Sequence, residues 1–248
     1  SGQLDIDRLD YLKRDSFYTG VNEGNISSDR LIVMMDVAND ELVIEQKGIY
    51  SVEKFLIARR LMYWQVYLHK TALVAENTLV NVLKRAKELA EKGENLFVSS
   101  ALHYFLYNQV NKNNFSDETL EMFSKLDDYD ILLSVKEWVN HEDKLLSMLS
   151  KMIVERKLLK VEIQSNQFSE TKIEEKKKKF QEKLHLTKDE IDYFVFLQEI
   201  KNQAYTSEKP ILIINKKGKL KDIVRASDQL NLQSLTKPVI KHIICYPK

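Results

Sequence analysis

Chain breakers are scarce in this sequence: six glycines and three prolines serve 248 residues. Glycine makes tight turns and proline ends helices, so a chain poor in both is committed to long helices with few sharp reversals. The apolar residues agree. Through 4–18, 72–92, 97–111, 117–125, 128–137 and 141–156 they recur three and four positions apart, which lays one apolar stripe along a helix. Ser51 is a plausible N-cap for another helix from 52 to about 72. Periodicity leaves open whether that helix breaks near Lys70 or runs on. Strand patterns are fewer. LIVMMDV at 31–37 and ELVIEQ at 41–46, split by Ala38, Asn39 and Asp40, read as a β-hairpin following a polar loop, VNEGNISSD.

The character of the chain changes after about residue 163. Residues 164–186 are polar and charged, with four consecutive lysines at 176–179. Such a run can contact an anionic ligand or nucleic acid, but its ordinary role is a solvated helix face, which is the expectation here. Thr187 and Glu190 spell a capping box, T-K-D-E, that predicts a helix to about residue 203. PILIIN at 210–215 reads as a strand, KKGK as its turn and LKDIV as its partner. A short helix near 226–235 and a last strand, VIKHIICY, complete the pattern. The expected fold is therefore mainly α. A helical body with a small β-hairpin (1–163) leads through a charged segment (164–186) to a small α+β subdomain (187–248). The last part shows no catalytic constellation, and His242, alternating with apolar neighbours, reads as structural.

Composition narrows the function classes. Lys plus Arg (38) nearly balances Asp plus Glu (37), so no global basic field draws the chain to nucleic acid or a membrane surface. Apolar residues, at 44%, suffice for a sizeable core. No run of about 18 uncharged apolar residues offers a membrane span. The acidic, polar start is no secretory signal. Cys245 stands alone, which excludes an internal disulfide and a cysteine metal cage and leaves a free buried thiol as the expectation. These features suit a cytoplasmic protein.

The densest chemistry lies in the first twenty residues, SGQLDIDRLDYLKRDSFYTG. Asp5, Asp7, Arg8, Asp10, Lys13, Arg14 and Asp15 crowd one helical segment. Asp7, Tyr11 and Asp15 fall on one stripe at i, i+4 and i+8. Leu9, Leu12 and Phe17 lie off it and can anchor the segment in a core. One reading is a solvated helix laced by i,i+4 ion pairs. The other is a carboxylate, a phenol and a second carboxylate presented together to a metal and a sugar. Downstream, ARRLMYWQVYLHK at 58–70 places Arg59, Tyr63 and Tyr67 on one stripe, either as a rigid ligand-facing element or as packing beside Trp64 and Leu68.

The first block resembles the last metal-ligand motif of the HD-domain phosphohydrolases, in the branch holding bacterial and vertebrate deoxynucleoside triphosphate (dNTP) triphosphohydrolases. That pattern, roughly Q-[LI]-D-x-D-[RK]-x-D-Y-x-x-R-D-x-x-x-x-G, is met at every fixed position by Gln3, Leu4, Asp5, Asp7, Arg8, Asp10, Tyr11, Arg14, Asp15 and Gly20. The 58–70 segment is similar to the family's helix with a phosphate-binding Arg and, eight residues on, a sugar-contacting Tyr. The similarity runs to about residue 160. The resemblance implies Asp7 as the closing Asp of an H…HD…D metal set and Arg8 as a triphosphate contact. It implies Tyr11 and Asp15 as deoxyribose contacts, Arg59 as a phosphate contact and Tyr67 as a residue closing over the sugar. Asp5 and Asp10 are expected to orient Arg8 or Arg14 or to cap the helix. Arg156 resembles an Arg that helps bind an activating nucleotide in regulated relatives. A divalent ion (Mn, Mg, Fe, Ni or Zn), a dNTP substrate and a homo-oligomer are implied as well.

Physical chemistry is compatible with these roles. A hard or borderline cation takes carboxylate and imidazole ligands and lowers the pKa of bound water. Arg offers phosphate a fixed fork of donors. The chain also departs from the family pattern. It contains no His-Asp dipeptide, and none of His69, His103, His141, His185 and His242 precedes Asp7. It therefore looks like the C-terminal part of a longer enzyme, expected to be inactive and metal-free alone. Leu68 stands where some relatives carry a base-facing polar residue, so base preference does not transfer. The expected function is part of a metal-dependent phosphohydrolase that releases triphosphate from dNTPs. The alternatives are another nucleotide or phosphoester as substrate, or a non-catalytic regulatory domain.

Overall fold

Serine and aspartate caps set where most helices begin. Asp5, Ser99, Ser116, Asp127, Asp143 and Ser169 each accept a hydrogen bond from a backbone N–H in the first turn that follows. The computed structural model describes residues 2–228 and 232–248. Along the chain run α1 (Ile6–Thr19), α2 (Ser28–Val33), β1 (Met35–Ala38), β2 (Glu41–Glu45), α3 (Ile49–Met62), α4 (Lys70–Glu91) and α5 (Ser100–Tyr107). Next come α6 (Asp117–Lys125), α7 (Asp128–Trp138), α8 (Lys144–Val154), β3 (Lys160–Gln164), α9 (Glu170–Leu184) and β4 (Phe196–Asn202). Last are β5 (Leu212–Ile214), β6 (Leu220–Asp222), α10 (Ile223–Ala226), α11 (Leu232–Leu235) and β7 (Val239–Tyr246). The fold is mainly α with a small β part.

Several elements depart from the sequence expectations. Leu31–Val33 end α2 instead of opening a strand, and α3 starts at Ile49, so Ser51 lies inside the helix. The long helix does break near Lys70, through a π-helical turn at Tyr63–Tyr67. The Thr187 box forms, with Thr187 N–H donating to Glu190 Oε2 (2.8 Å) and Glu190 N–H to Thr187 Oγ1 (3.3 Å). It starts only a single 3-10 turn, Glu190–Tyr193, and β4 replaces the expected helix to 203. Strand pairing of an aromatic and aliphatic segment outweighs a local cap. Of the helix expected near 226–235, Ala226 ends α10, α11 covers Leu232–Leu235, and 229–231 lie outside the described residues.

The chain divides into two compact units that do not follow sequence order: 1–69 with 199–242, and 70–198 with 243–248. In the first, β1 and β2 pair antiparallel from Met35↔Ile44 to Ala38↔Glu41. The two-residue turn between them holds Asn39 and Asp40 in left-handed backbone (φ 54° and 64°), which these side chains tolerate. β5 adds parallel to β2 (Val43↔Leu212) and β6 antiparallel to β5, giving the order β1-β2-β5-β6. Residues from the far end of the sequence thus complete the sheet begun by the early hairpin. The core joins Leu9 and Leu12 of α1 and Phe55, Leu56 and Met62 of α3 to Tyr205, Ile213, Ile223 and Leu235. Gly24 has no room for a side chain. A Cβ there would stand 2.7 Å from Ser16 Cβ, 2.8 Å from Met62 Sδ and 2.9 Å from the Leu12 carbonyl.

In the second unit α4 packs on α5 and α8, and α7 on α8. Trp138, Leu145, Leu146 and Leu149 are fully buried there. Arg85 on α4 grips Asp143 with both Nε (3.1 Å) and Nη2 (2.6 Å). β3, residues 243–246 of β7 and residues 196–198 of β4 belong to this unit, in a three-stranded sheet ordered β3-β7-β4. The lysine run sits on α9, where Lys176 lies over the Tyr246 ring and Lys177 pairs with Asp192, so this face is only partly solvated. Cys245 is buried, as expected. Among the described residues no helix is long and apolar enough to cross a membrane.

Candidate functional site

Two segments some fifty residues apart in sequence, the stripe of α1 and the end of α3 with its π turn, meet within the first unit. Asp5 fixes the start of α1 by accepting from Arg8 N–H (3.0 Å), and its other oxygen lies 3.5 Å from Arg8 Nε. Arg8 is thereby held half-buried at the first turn. Asp10 pairs with Arg14 at 2.8 Å on the exposed side. Both aspartates orient arginines, and the solvated ion-pair reading holds for that face of the helix. Leu9 and Leu12 are buried and anchor α1. Phe17 does not: it is 80% exposed and stacks edge-on with Tyr18, because the helix turns it outward near its C-terminus.

On the stripe itself, Tyr67 Oη donates to Asp15 Oδ2 at 2.7 Å. Tyr11 meets the Tyr67 ring edge-on at 5.9 Å, and Tyr63 meets it at 5.1 Å. The Arg59 guanidinium lies 5.7 Å from the centre of the Tyr63 ring. The π turn aligns these side chains. Leu68 N–H bonds to the Tyr63 carbonyl at 2.7 Å, an i→i+5 step that widens the helix between the two tyrosines. Burial, and then the Asp15 carboxylate, push the Tyr67 phenol well above its ordinary value. Burial and the neighbouring Tyr63 raise Tyr11, against the opposing pull of Arg59 and Arg8. Both phenols stay protonated at neutral pH, which leaves Tyr67 free to donate to Asp15.

Arg59 Nη1 donates to the Ala204 carbonyl at 3.2 Å. Its Nε is buried without a hydrogen-bond partner. A buried cationic donor left unpaired is costly, and an anion's oxygen is the natural group to relieve it. Asp7 lies one turn before Tyr11 on the same stripe, exposed, with no hydrogen bond or ion pair among the described residues. The structure thus brings Arg8, Tyr11, Asp15, Arg59 and Tyr67 to one face of the unit. Arg156 belongs to the other unit, exposed just after α8 in left-handed backbone (φ 55°).

Tyr63, to which the resemblance gives no role, also stands inside this cluster. Its signal was the four-residue spacing from both Arg59 and Tyr67. The Ala204 carbonyl had no signal, since backbone acceptors leave no trace in side-chain pattern. No three His, Cys, Asp or Glu side chains among the described residues stand close enough to hold a metal ion.

Residues 26–193 match the HD associated region, and the chain belongs to that family. The match includes Arg59 and Tyr67 and begins after α1. The chain is similar to the uncharacterized protein YwfO of Bacillus subtilis, 36% identical over 168 residues, which are 67% of this chain and 37% of that protein. It is similar to a Dictyostelium discoideum deoxynucleoside triphosphate triphosphohydrolase SAMHD1 homolog, 27% identical over 93 residues (38% of this chain, 18% of that protein). Among solved structures, a phosphohydrolase of Bacteroides thetaiotaomicron superposes with a TM-score of 0.92 at 52% identity, covering all of this chain and 62% of that one. The chain thus spans less than two thirds of the length of these relatives.

Proposed function

We propose that this chain forms the nucleotide-holding part of an HD-type phosphohydrolase that cleaves dNTPs at the α-phosphate, giving deoxynucleoside and triphosphate. The observation that carries the proposal is Arg59, whose buried, unpaired Nε stands in one cluster with the Tyr67–Asp15 hydrogen bond. Donors suited to phosphate oxygens and groups suited to a sugar are presented side by side. Arg8 and Arg59 bind the phosphates and Tyr67 closes over the deoxyribose. Tyr11 lines the sugar site, and Asp15, with Oδ2 engaged by Tyr67, accepts the 3′-hydroxyl on Oδ1. The phosphohydrolase from Bacteroides and the dNTPase homolog from Dictyostelium support the class of reaction.

The donor set in hand does not make a complete metal site. Asp7 is a single exposed carboxylate, and Asp5 and Asp10 are spent on Arg8 and Arg14. Asp7 is assigned as one ligand of a divalent ion whose other ligands come from outside the described residues. Hydrolysis is accordingly assigned to a protein of the relatives' length, working as a homo-oligomer, and not to this chain alone. Arg156 is assigned to a separate activating nucleotide.

Titration calorimetry of this chain with inorganic tripolyphosphate, and separately with a deoxynucleoside, tests the binding half. Arg59→Ala and Arg8→Ala are expected to weaken tripolyphosphate, Asp15→Ala the deoxynucleoside, and Arg156→Ala neither. In a protein of full length, product analysis over a panel of nucleotides tests the reaction, and Asp7→Ala should abolish turnover while leaving stability within about 0.5 kcal/mol of wild type. Unchanged turnover in Asp7→Ala, or unchanged tripolyphosphate affinity in Arg59→Ala, would refute the assignment.

A further inference from the structure

We infer that Gln3 is a positioning residue that fixes the Arg59 guanidinium by latching the 203–211 loop onto the start of α1. For its effect on phosphate binding the inference rests on the Arg59 role proposed above; the latch itself does not. Gln3 is 8% exposed and spends its whole amide on one loop. Nε2 donates to the Thr206 carbonyl (2.6 Å) and the Lys209 carbonyl (2.5 Å), and Oε1 accepts from Thr206 N–H (2.8 Å). These bonds join positions more than 200 residues apart in sequence. Two residues before Thr206, the Ala204 carbonyl takes the hydrogen bond from Arg59 Nη1. Two residues after Gln3, Asp5 caps α1 and holds Arg8.

One amide therefore connects both cationic limbs of the cluster, Arg8 through the helix cap and Arg59 through the loop. The inner side of the loop is held separately. Tyr205 Oη donates to Asp222 Oδ2 (2.6 Å) and accepts from Ile211 N–H (3.1 Å). Tyr205 N–H donates to the Leu235 carbonyl (3.2 Å). With that side intact, loss of Gln3 frees the outer strap without dissolving the core. Only an amide fits the latch, because it needs a two-proton donor and an acceptor on the same planar group.

The test reads Arg59 directly. In the chain labelled with ¹⁵N-arginine, hydrogen exchange of the Arg59 Nε–H is measured by NMR in wild type, Gln3→Leu and Gln3→Glu. Arg85 Nε–H, bound to Asp143 in the other unit, serves as the internal reference. Gln3→Glu keeps the shape and removes both donors, so it carries the test if Gln3→Leu fails to fold. Exchange at Arg59 is expected to speed up at least tenfold in the variants while Arg85 stays unchanged. Tripolyphosphate affinity should fall about tenfold, and that fall should vanish in an Arg59→Ala background. Unaltered Arg59 exchange, or equal acceleration at Arg59 and Arg85, overturns the latch. Accelerated exchange with unaltered tripolyphosphate affinity upholds the latch and refutes the phosphate role of Arg59.

Discussion

Removing one oxygen, in Tyr67→Phe, isolates the bond that ties the two limbs of the site together. The hydroxyl donates at 2.7 Å to Asp15 Oδ2, and both side chains are half-buried. A hydrogen bond to a charged group contributes about 1.5–3 kcal/mol net. Water can reach part of Asp15 once the phenol is gone, which lowers the expected loss to about 1–2 kcal/mol. Urea unfolding of wild type, Tyr67→Phe, Asp15→Ala and the double variant measures it, with an expected coupling of about 1 kcal/mol or more. The bond also predicts a pH dependence. The folded chain raises the Tyr67 phenol above its ordinary value near 10, so the unfolded chain loses that proton first as pH rises. The contribution is complete below pH 10 and declines above it, and the alkaline loss should be shallower in Tyr67→Phe. Single-variant costs that add within about 0.3 kcal/mol would refute the coupling of the two segments through this bond.

Other expectations follow from single contacts. Gly24→Ala should cost about 1–3 kcal/mol, since its Cβ meets backbone and packed side chains at under 3 Å; an unchanged urea midpoint would contradict that packing. Lys172, and then the Tyr246 hydroxyl, bind the Glu162 carboxylate and hold its pKa down at about 2. A depressed carboxylate stabilises the fold above its unfolded value near 4.5 and loses that contribution as pH falls toward 2. Glu162→Gln should therefore be less stable than wild type at pH 7, with the gap narrowing by pH 3. A gap that stays constant would rule out the linkage. Burial pushes the Cys245 thiol up to about 12, so iodoacetamide should label it only on unfolding, and rapid labelling of the native chain would contradict its placement.

The helices at 117–125 and 128–137 are legible from apolar spacing, and caps at Ser116 and Asp127 start them where that spacing begins. Where the two disagreed, longer-range pairing decided. The Thr187 box is intact, yet the segment behind it becomes a strand because β4 pairs within a sheet that no local window contains. β3 was missed for the same reason. The polar stripe of α1 and the shared face of Arg59, Tyr63 and Tyr67 are legible from helical spacing, whereas the π turn that sets the final placement of the two tyrosines leaves no local signal. Their meeting is implied by the family resemblance and not by periodicity, since it depends on Gly24 letting the two helices close. Phe17 was misplaced because its distance from the polar stripe says nothing about whether anything covers it.

The core around α1 stays unfinished until residues about two hundred positions further along the chain have been made. Leu9 and Leu12 pack in one cluster with Tyr205, Ile213, Ile223 and Leu235. During synthesis the leading helix emerges long before those residues exist, and closing so long a loop is intrinsically slow. The ligand-facing helix must wait for its cover, so removing the 205–235 segment would damage the site on α1.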